Sequence, residues 1–474
     1  MTDLTEHASP PRPPSLAESL VSLLAMSLGI GISIFFFGLS PHLPMLIGVG
    51  VAALVSLRLG YRWDDLQAAM VAGITNALGS IMILMLVGIL IGVWILGGVV
   101  PSLVYYGLQV MSPGWFLPAA CLICSIASLA TGTSWGTTGT IGVALMGVGA
   151  GLGLPLPLVA GAVISGAYFG DKISPLSDTT NLAPAMVGVD LYTHIRHMLS
   201  TTAVSYGISM ILYAVLGLRA AGSDGSAERI ASMSALLDDL FVIHPLLLLP
   251  PLIVIGLSFR RIPAIPGIAA GAVAGILCCL FVQGQGYGET MGVAMSGFAT
   301  DTGNGDVDAL LSRGGLESMS FTISLIIVAM MFGGIMTRTG QMKVVAERIL
   351  SYANSTGSLI LATALTAIAT NMIVCDQYMS LVMTGRMYEG AYRDRNLAPE
   401  NLSRVTEDAG TVVDPLVPWG SGGAYQTATL GISTWAYAPF AFFCWISPIV
   451  TIVFGYTGFT IKKREASPAP AAAA

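Results

Sequence analysis

Twelve consecutive residues, Gly170-Asp171-Lys172-Ile173-Ser174-Pro175-Leu176-Ser177-Asp178-Thr179-Thr180-Asn181, hold two carboxylates, one lysine, a proline and a run of hydroxyls between apolar flanks. A charge in hydrocarbon costs about 2.5–3.5 kcal/mol on insertion scales, and ionisable residues kept there are functional by default. Three further polar groups stand in apolar surroundings: Thr133, Ser134, Thr137 and Thr138; Asp376 and Gln377; and Arg404, Glu407, Asp408, Thr411 and Asp414. Carboxylates, hydroxyls, an amide and bare carbonyls are the oxygen ligands a hard cation prefers. The same carboxylate can hold a proton instead, because burial favours its neutral form and a nearby cation its charged form. Competition of Na+ and H+ for one negative site is sufficient for antiport.

The elements that position these groups follow from composition. Of 474 residues, 54% are hydrophobic and only 10% charged, against about 25% charged in a soluble domain. Apolar runs fall at about 21–38, 43–58, 80–99, 115–131, 139–150, 157–170, 199–218, 241–259, 264–283, 319–337, 358–374, 378–388, 405–424 and 438–457. Most are long enough to cross a core of about 30 Å. The runs 139–150 and 378–388 are too short, and each follows a longer run through a polar tip. Such pairs read as re-entrant hairpins, which persist only where protein or a watery cavity surrounds them. Prolines 175, 415 and 418 break the neighbouring helices and free carbonyls.

Positive charge in short loops marks the cytoplasmic side. Arg58 and Arg62, Arg196, Arg260 and Arg261, Arg338 with Lys343 and Arg348, and Lys462-Lys463-Arg464 lie on that side, whereas the acidic loops 219–240 and 284–318 lie outside. Shifting the chain by 240 residues brings Gly170-x-x-x-Ser174-Pro175-Leu176 onto Gly410-x-x-x-Asp414-Pro415-Leu416 and superimposes whole spans, with basic loops falling on acidic or uncharged ones. Inverted halves with breaks at corresponding positions indicate a secondary transporter whose site lies near the midplane.

The expected fold is therefore an all-α polytopic membrane protein of two inverted-topology repeats, each with a re-entrant hairpin and a broken transmembrane helix. The expected division is a disordered tail over 1–20, repeat 1 over 21–218, an extracytoplasmic linker over 219–240, repeat 2 over 241–459 and a basic, Ala/Pro-rich cytoplasmic tail over 460–474. Both termini are expected in the cytoplasm, in a multi-pass protein of the cell membrane.

Candidate cation- and proton-binding residues are Asp171, Asp178, Asp376, Glu407, Asp408, Thr133, Ser134, Ser174, Thr179 and Asn181, with Asp178, Asp376, Ser134 and Thr179 as the Na+ ligands. Lys172 either neutralises Asp171 or binds an organic anion. Arg404 either pairs with Glu407 or Asp408 at helical spacing or does the same. Asp414, after two valines and before a proline, has a surface position as its plainer reading. Serine and threonine in such helices often bond to their own backbone instead of a ligand.

Other classes lack their residues. No G-x-x-x-x-G-K-[ST] phosphate loop and no H-E-x-x-H pair occurs. The six cysteines lie in apolar segments and read as small buried hydrophobes. No nucleophile–base set appears, so the chain is not expected to be an enzyme, and neither a cofactor nor nucleic acid is expected.

Residues 170–184 (GDKISPLSDTTNLAP) closely resemble the signature of the NhaC family of Na+/H+ antiporters. Leu402-Ser403-Arg404-x-x-Glu407-Asp408-x-Gly410-Thr411, followed by Pro415-Leu416-Val417-Pro418-Trp419, is similar to a second family signature, and Cys375-Asp376-Gln377-Tyr378 with Gly385-Arg386-Met387 to its second hairpin. Asp414 stands where the resemblance leads one to expect a small or hydroxyl residue. The resemblance implies exchange driven by an electrochemical gradient, with Na+ and H+ as cargo, membrane lipid as surroundings and, at family level, a homodimer. It also includes exchangers of small organic anions such as malate and lactate. The alternatives are thus coupled exchange of such anions or of amino acids and, from another class, a passive cation channel.

Overall fold

The computed structural model describes residues 11–220, 226–260 and 262–464. The outer parts of both expected tails, residues 221–225 of the expected linker and Arg261 lie outside them. The first half of the chain forms α1 (Leu16–Phe37), α2 (His42–Arg58), α3 (Trp63–Leu96), α4 (Val99–Val110), α5 (Pro113–Thr131), α6 (Ser134–Thr137), a π-turn at Thr138–Gly142, α7 (Val143–Gly151), α8 (Leu156–Ile173), α9 (Asp178–Met186) and α10 (Leu191–Ala220). The second forms α11 (Ser226–Leu240), α12 (Leu249–Phe259), α13 (Ala264–Phe281), α14 (Tyr287–Ser296), α15 (Gly305–Leu311), α16 (Ser320–Arg338), α17 (Gln341–Leu350), α18 (Thr356–Val374), α19 (Gln377–Asp394), α20 (Pro399–Thr406), a π-turn at Glu407–Thr411, α21 (Ser421–Leu430), α22 (Thr434–Tyr437) and α23 (Phe442–Thr457).

Among the described residues, seven helices are long and apolar enough to cross a membrane, and two bent pairs raise the number to nine. The chain is an all-helical, multi-pass membrane protein. α1 begins at Leu16, inside the segment assigned to a tail, because Ser15 accepts from the Glu18 N–H and the Glu18 carboxylate accepts from the Ser15 N–H. α3 reaches back to Trp63, where the Arg62 N–H meets Asp65. The linker and the loop 284–318 also contain helices, α11 in the former and α14 and α15 in the latter.

The short runs after each polar tip are the second arms of hairpins, though both arms are longer than their apolar stretches. The first continues from Ser134 to Gly151 through a π-turn; the second, α19, is 18 residues long. Each tip turns on a residue in the left-handed region, Gly132 (φ 69°) and Cys375 (φ 61°). Each then caps the returning helix, Thr133 accepting from the Gly136 N–H at 3.2 Å and Asp376 from the Met379 N–H at 2.8 Å. A glycine at 132 is required for a second reason: a Cβ there would lie 2.7 Å from the Leu176 backbone, which links the tip to the break after α8.

Several backbone features recur at one spacing. Gly132 and Cys375, the caps Thr133 and Asp376, the caps Ser177 and Gly420, and the positive-φ glycines 188 and 431 are each 243 residues apart. Gly98 (φ 74°) and Gly340 (φ 75°) open α4 and α17 at a spacing of 242. This register differs by three residues from the shift of 240 that sequence matching gives. It sets Asp171 opposite Asp414, where the shift of 240 set Ser174.

Helices approach closely where small residues allow it, as expected when lipid supplies no hydrophobic drive between them. α3 and α16 run antiparallel with Gly73 against the Met330 carbonyl and Gly334 against that of Ala69. α8 lies on α5 through Gly166 and Gly170, whose Cβ positions would stand 2.1 Å from the Cys121 carbonyl oxygen and 2.3 Å from that of Ser125. These contacts hold the end of α8, and with it Asp171, beside the first tip. Gly166→Val should lower the melting temperature of the detergent-solubilised protein, with an overpacking cost of about 1–3 kcal/mol. Thermal unfolding followed by size-exclusion chromatography checks it; an unchanged melting temperature would contradict the close approach.

Candidate ion-binding site

α8 ends at Ile173 and α9 starts at Asp178, with Pro175 between them, so the backbone is open where the two hairpin tips meet it. A cavity of about 610 Å³ fills this space. Its wall comes from the first tip (Thr131–Trp135), the break (Asp171 and Pro175–Thr179), Gln377 and Tyr378 of the second tip, and Ser421. One face of α3 (Asn76, Gly79, Ser80 and Ile83) and the α12–α13 turn complete it. Among the described residues, the wall contains two carboxylates, Asp171 and Asp178, and no lysine, arginine or histidine.

Asp171 is nearly buried, and its Oδ2 accepts from the Ser134 N–H at 3.0 Å and from the Ser134 hydroxyl at 2.6 Å. Asp178 is exposed at the first position of α9, where the helix dipole favours negative charge. Thr179 lines the cavity within 3.1 Å of the Ser177 hydroxyl. Thr133 lines it too, with its hydroxyl already capping α6.

Other candidates serve the break itself. Ser174 donates to the Leu129 carbonyl, and the Asn181 amide donates to the carbonyls of Pro175 and Ser177. Thr180 takes up the carbonyls of Asp171 and Lys172, left open where α8 stops. Asp376 is buried as the cap of α19 and is not in the cavity wall. Its neighbour Gln377 is, and Gln377 Oε1 is buried without a hydrogen-bond partner.

The cationic candidates lie elsewhere. Lys172 does not neutralise Asp171: it pairs with Asp408 and donates to the Ser447 hydroxyl at 3.0 Å, fully buried behind the cavity. Consecutive residues on a helix do not share a face, so Asp171 turns to the cavity and Lys172 away from it. Arg404 is fully buried and donates to Thr460 Oγ1 at 2.8 Å; it forms no salt bridge with Glu407 or Asp408. The chain widens into a π-turn at Glu407, one residue after α20 ends, and this displaces the regular helical spacing. Glu407 is fully buried in that turn with neither carboxylate oxygen hydrogen-bonded. The four polar groups therefore divide: Thr133 and Ser134, Asp171 with Ser177, Asp178 and Thr179, and Gln377 meet at the cavity, while Lys172, Arg404, Glu407 and Asp408 lie buried away from it.

Asp414 is not at the surface. It is fully buried, hydrogen-bonded by the Tyr168 hydroxyl at 3.5 Å and the Gly422 N–H at 3.4 Å. A Cβ at Gly422 would stand 1.8 Å from its Oδ2, so the carboxylate occupies the space a side chain would take. Sequence reasoning also missed Asn76 and Ser80, which share a face of α3 at a spacing of four. That polar pair in an otherwise apolar helix was a readable signal.

Removing one member of a buried ion pair leaves the other uncompensated, at a cost of about 3–5 kcal/mol. Lys172→Met should therefore destabilise the protein by about that amount, and Asp408→Asn in the same background should recover part of it. Thermal unfolding in detergent reads both; equal melting temperatures for parent and Lys172→Met would contradict the pairing.

The sequence model of the Na+/H+ antiporter family matches residues 17–180 and 166–459. The Na(+)/H(+) antiporter NhaC of Alkalihalophilus pseudofirmus is 44% identical over 434 residues, covering 91% of this chain and 94% of that protein. The malate-2H(+)/Na(+)-lactate antiporter of Bacillus subtilis is 40% identical, covering 94% of this chain and 96% of its own length. The arginine/ornithine antiporter ArcD of Halobacterium salinarum is 36% identical, covering 98% and 96%. With family matches spanning almost the whole chain and identity of this order to a characterised relative, the chain belongs to the Na+/H+ antiporter family, of the NhaC kind.

Proposed function

We propose that this chain exchanges Na+ for H+ across the cell membrane by alternating access, with Asp171 and Asp178 binding either ion at the cavity between the two hairpin tips. The observation that carries the reading is the composition of the cavity wall, which among the described residues holds two carboxylates, several hydroxyls and no cationic side chain. Such a wall attracts a cation and repels an anion. Ser134, Thr133 and Thr179 complete the oxygen shell. A bound Na+ and a bound proton each neutralise the same carboxylates, so one excludes the other.

Loop charges support a cytoplasmic position for the α12–α13 turn, with Arg260, and for both termini. The cavity then faces inward in this conformation, because that turn forms part of its rim. The recurring backbone features at a spacing of 243 and the antiparallel approach of α3 to α16 support two halves of inverted topology, with the tips as the two gates.

The names of two relatives introduce a second reading, exchange of organic anions or of amino acids. An organic anion needs a cation in the site. Lys172 is committed to Asp408 and Arg404 lies outside the wall, so the geometry favours Na+ over an anion. A channel is distinguished by transport that does not saturate and is not stoichiometric.

The test is a pH-sensitive dye in proteoliposomes. Adding Na+ should dissipate a preset pH gradient in the parent protein, and Asp171→Asn and Asp178→Asn should each reduce that flux to the level of empty vesicles while the proteins insert normally. Malate, lactate, arginine and ornithine should leave the gradient intact. Exchange at parental rate and Na+ affinity in both variants would overturn the site. Dissipation by a hydroxy acid or amino acid alone would overturn the choice of substrate.

A further inference from the structure

We propose that Gln377 and Ser421, the first residues of α19 and α21, are neutral Na+ ligands supplied by the second half of the chain, so that the ion lies between the halves. The inference rests on the antiport reading above and extends it from the carboxylates of the first half to side chains that bind Na+ and not H+.

The register points to this pair. The spacing of 243, at which the tip turns and the caps recur, relates Ser134 to Gln377 and Asp178 to Ser421. All four residues stand in the cavity wall, and each is the first residue of its helix. The second half thus presents an amide and a hydroxyl where the first presents a hydroxyl and a carboxylate.

Packing brings the two sets together. α9 lies against α19, and a Cβ on Gly385 of α19 would stand 3.4 Å from Met186, the last residue of α9. Gly385 is as far along the chain from Gln377 as Met186 is from Asp178. Tyr378, beside Gln377, is in electrostatic range of Asp178 and Asp171. The two helices therefore run parallel with their first residues level. Packed helices have axes about 8–10 Å apart, a span that one ion and two side chains fill. The Ser421 N–H donates to the Cys375 carbonyl at 3.1 Å, which holds the start of α21 at the second tip.

Both side chains are free to bind. A hard cation takes about six oxygens, and the first half offers few. Asp171 Oδ2 already accepts two bonds from Ser134, and the Thr133 hydroxyl caps α6. The Gln377 side chain makes no hydrogen bond among the described residues, and its Oε1 is buried in that state. The Ser421 hydroxyl makes none among them either. Buried polar atoms ordinarily have a partner, and a cation between the halves supplies one. An amide oxygen and an alcohol oxygen coordinate Na+ but take no proton where carboxylates titrate. The carboxylates therefore set the competition between the two ions, and Gln377 and Ser421 weight it toward Na+.

The test is equilibrium binding of radiolabelled Na+ to the purified protein over a pH series. In the parent, Na+ affinity should fall on acidification, with an inflection set by the carboxylates. Gln377→Met and Ser421→Ala should each weaken Na+ binding about tenfold at every pH and leave that inflection in place. In proteoliposomes the KM for Na+ should rise by the same factor, with a maximal rate no lower than the parent's. Ser421→Ala removes one oxygen and keeps the backbone bond to Cys375, so it carries the test should Gln377→Met fail to insert. Parental Na+ affinity in either variant overturns the proposal. So does a displaced inflection, or a lowered maximal rate at the parental KM, since each marks a structural role. A parent that binds Na+ but moves no protons with it overturns the antiport reading alone; a parent without saturable Na+ binding overturns both.

Discussion

Lipid provides no hydrogen-bond partner, so every interruption of a helix at membrane depth has to be capped from within the protein. The site of this transporter is built under that constraint. Its tips and breaks expose backbone groups, and nearby polar side chains are spent on them. Ser177 caps α9, Thr180 takes two carbonyls from the end of α8, Asn181 takes two more from the break, and Ser174 reaches the carbonyl of Leu129. The Ser421 N–H is taken by the carbonyl of Cys375 at the opposite tip. On the proposed reading, what remains for an ion is the residue of this accounting: Asp178, Asp171 beyond its bonds to Ser134, and the hydroxyls of Thr133, Ser134 and Thr179. A polar sequence in a membrane helix is thus mostly scaffolding for the few groups that bind.

The sign of the cavity depends on where the one lysine of the motif goes. Asp171 and Lys172 are neighbours in sequence, and sequence alone allows them to cancel. Helix geometry separates them, and Asp408 from the second half takes Lys172 together with Ser447 of α23. Burying such a pair is weak support for stability, because desolvation consumes most of its Coulombic attraction. Its consequence lies in specificity: it removes a positive charge from the cavity and ties α8 to the π-turn of the second half.

The sequence displayed the main chemistry at Gly170–Asn181 and at the two tips, because charge and proline in apolar runs are conspicuous. Helix existence was legible for the same reason. The rest depended on contacts between residues far apart in the chain. Lys172 meets Asp408 and Tyr168 meets Asp414 across more than two hundred residues, and no local pattern announces either. Matching short motifs gives a shift of 240, three residues from the spacing of 243 at which the backbone features recur, since Gly and Pro identities are few. The shift of 240 pairs Asp414 with Ser174, and the spacing of 243 pairs it with Asp171. Arg404 was read from regular helical spacing, which the π-turn at Glu407 does not keep.

The two tips share a backbone but differ in how they hold their charge. The second is self-contained: Asp376 caps its own helix through the Met379 N–H, on a turn where Cys375 accepts a left-handed conformation unusual for a residue with a Cβ. The first has a neutral cap, Thr133, and takes its charge from α8, because Asp171 accepts both the N–H and the hydroxyl of Ser134. On the proposed reading, an ion or proton arriving at Asp171 competes with the bonds that fasten the first tip to α8. A ligand shifts a conformational equilibrium only through different contacts in the two states. If Asp171 binds the ion as proposed, the contact that differs is the one that binds it, and occupancy and the position of the tip are coupled at that carboxylate.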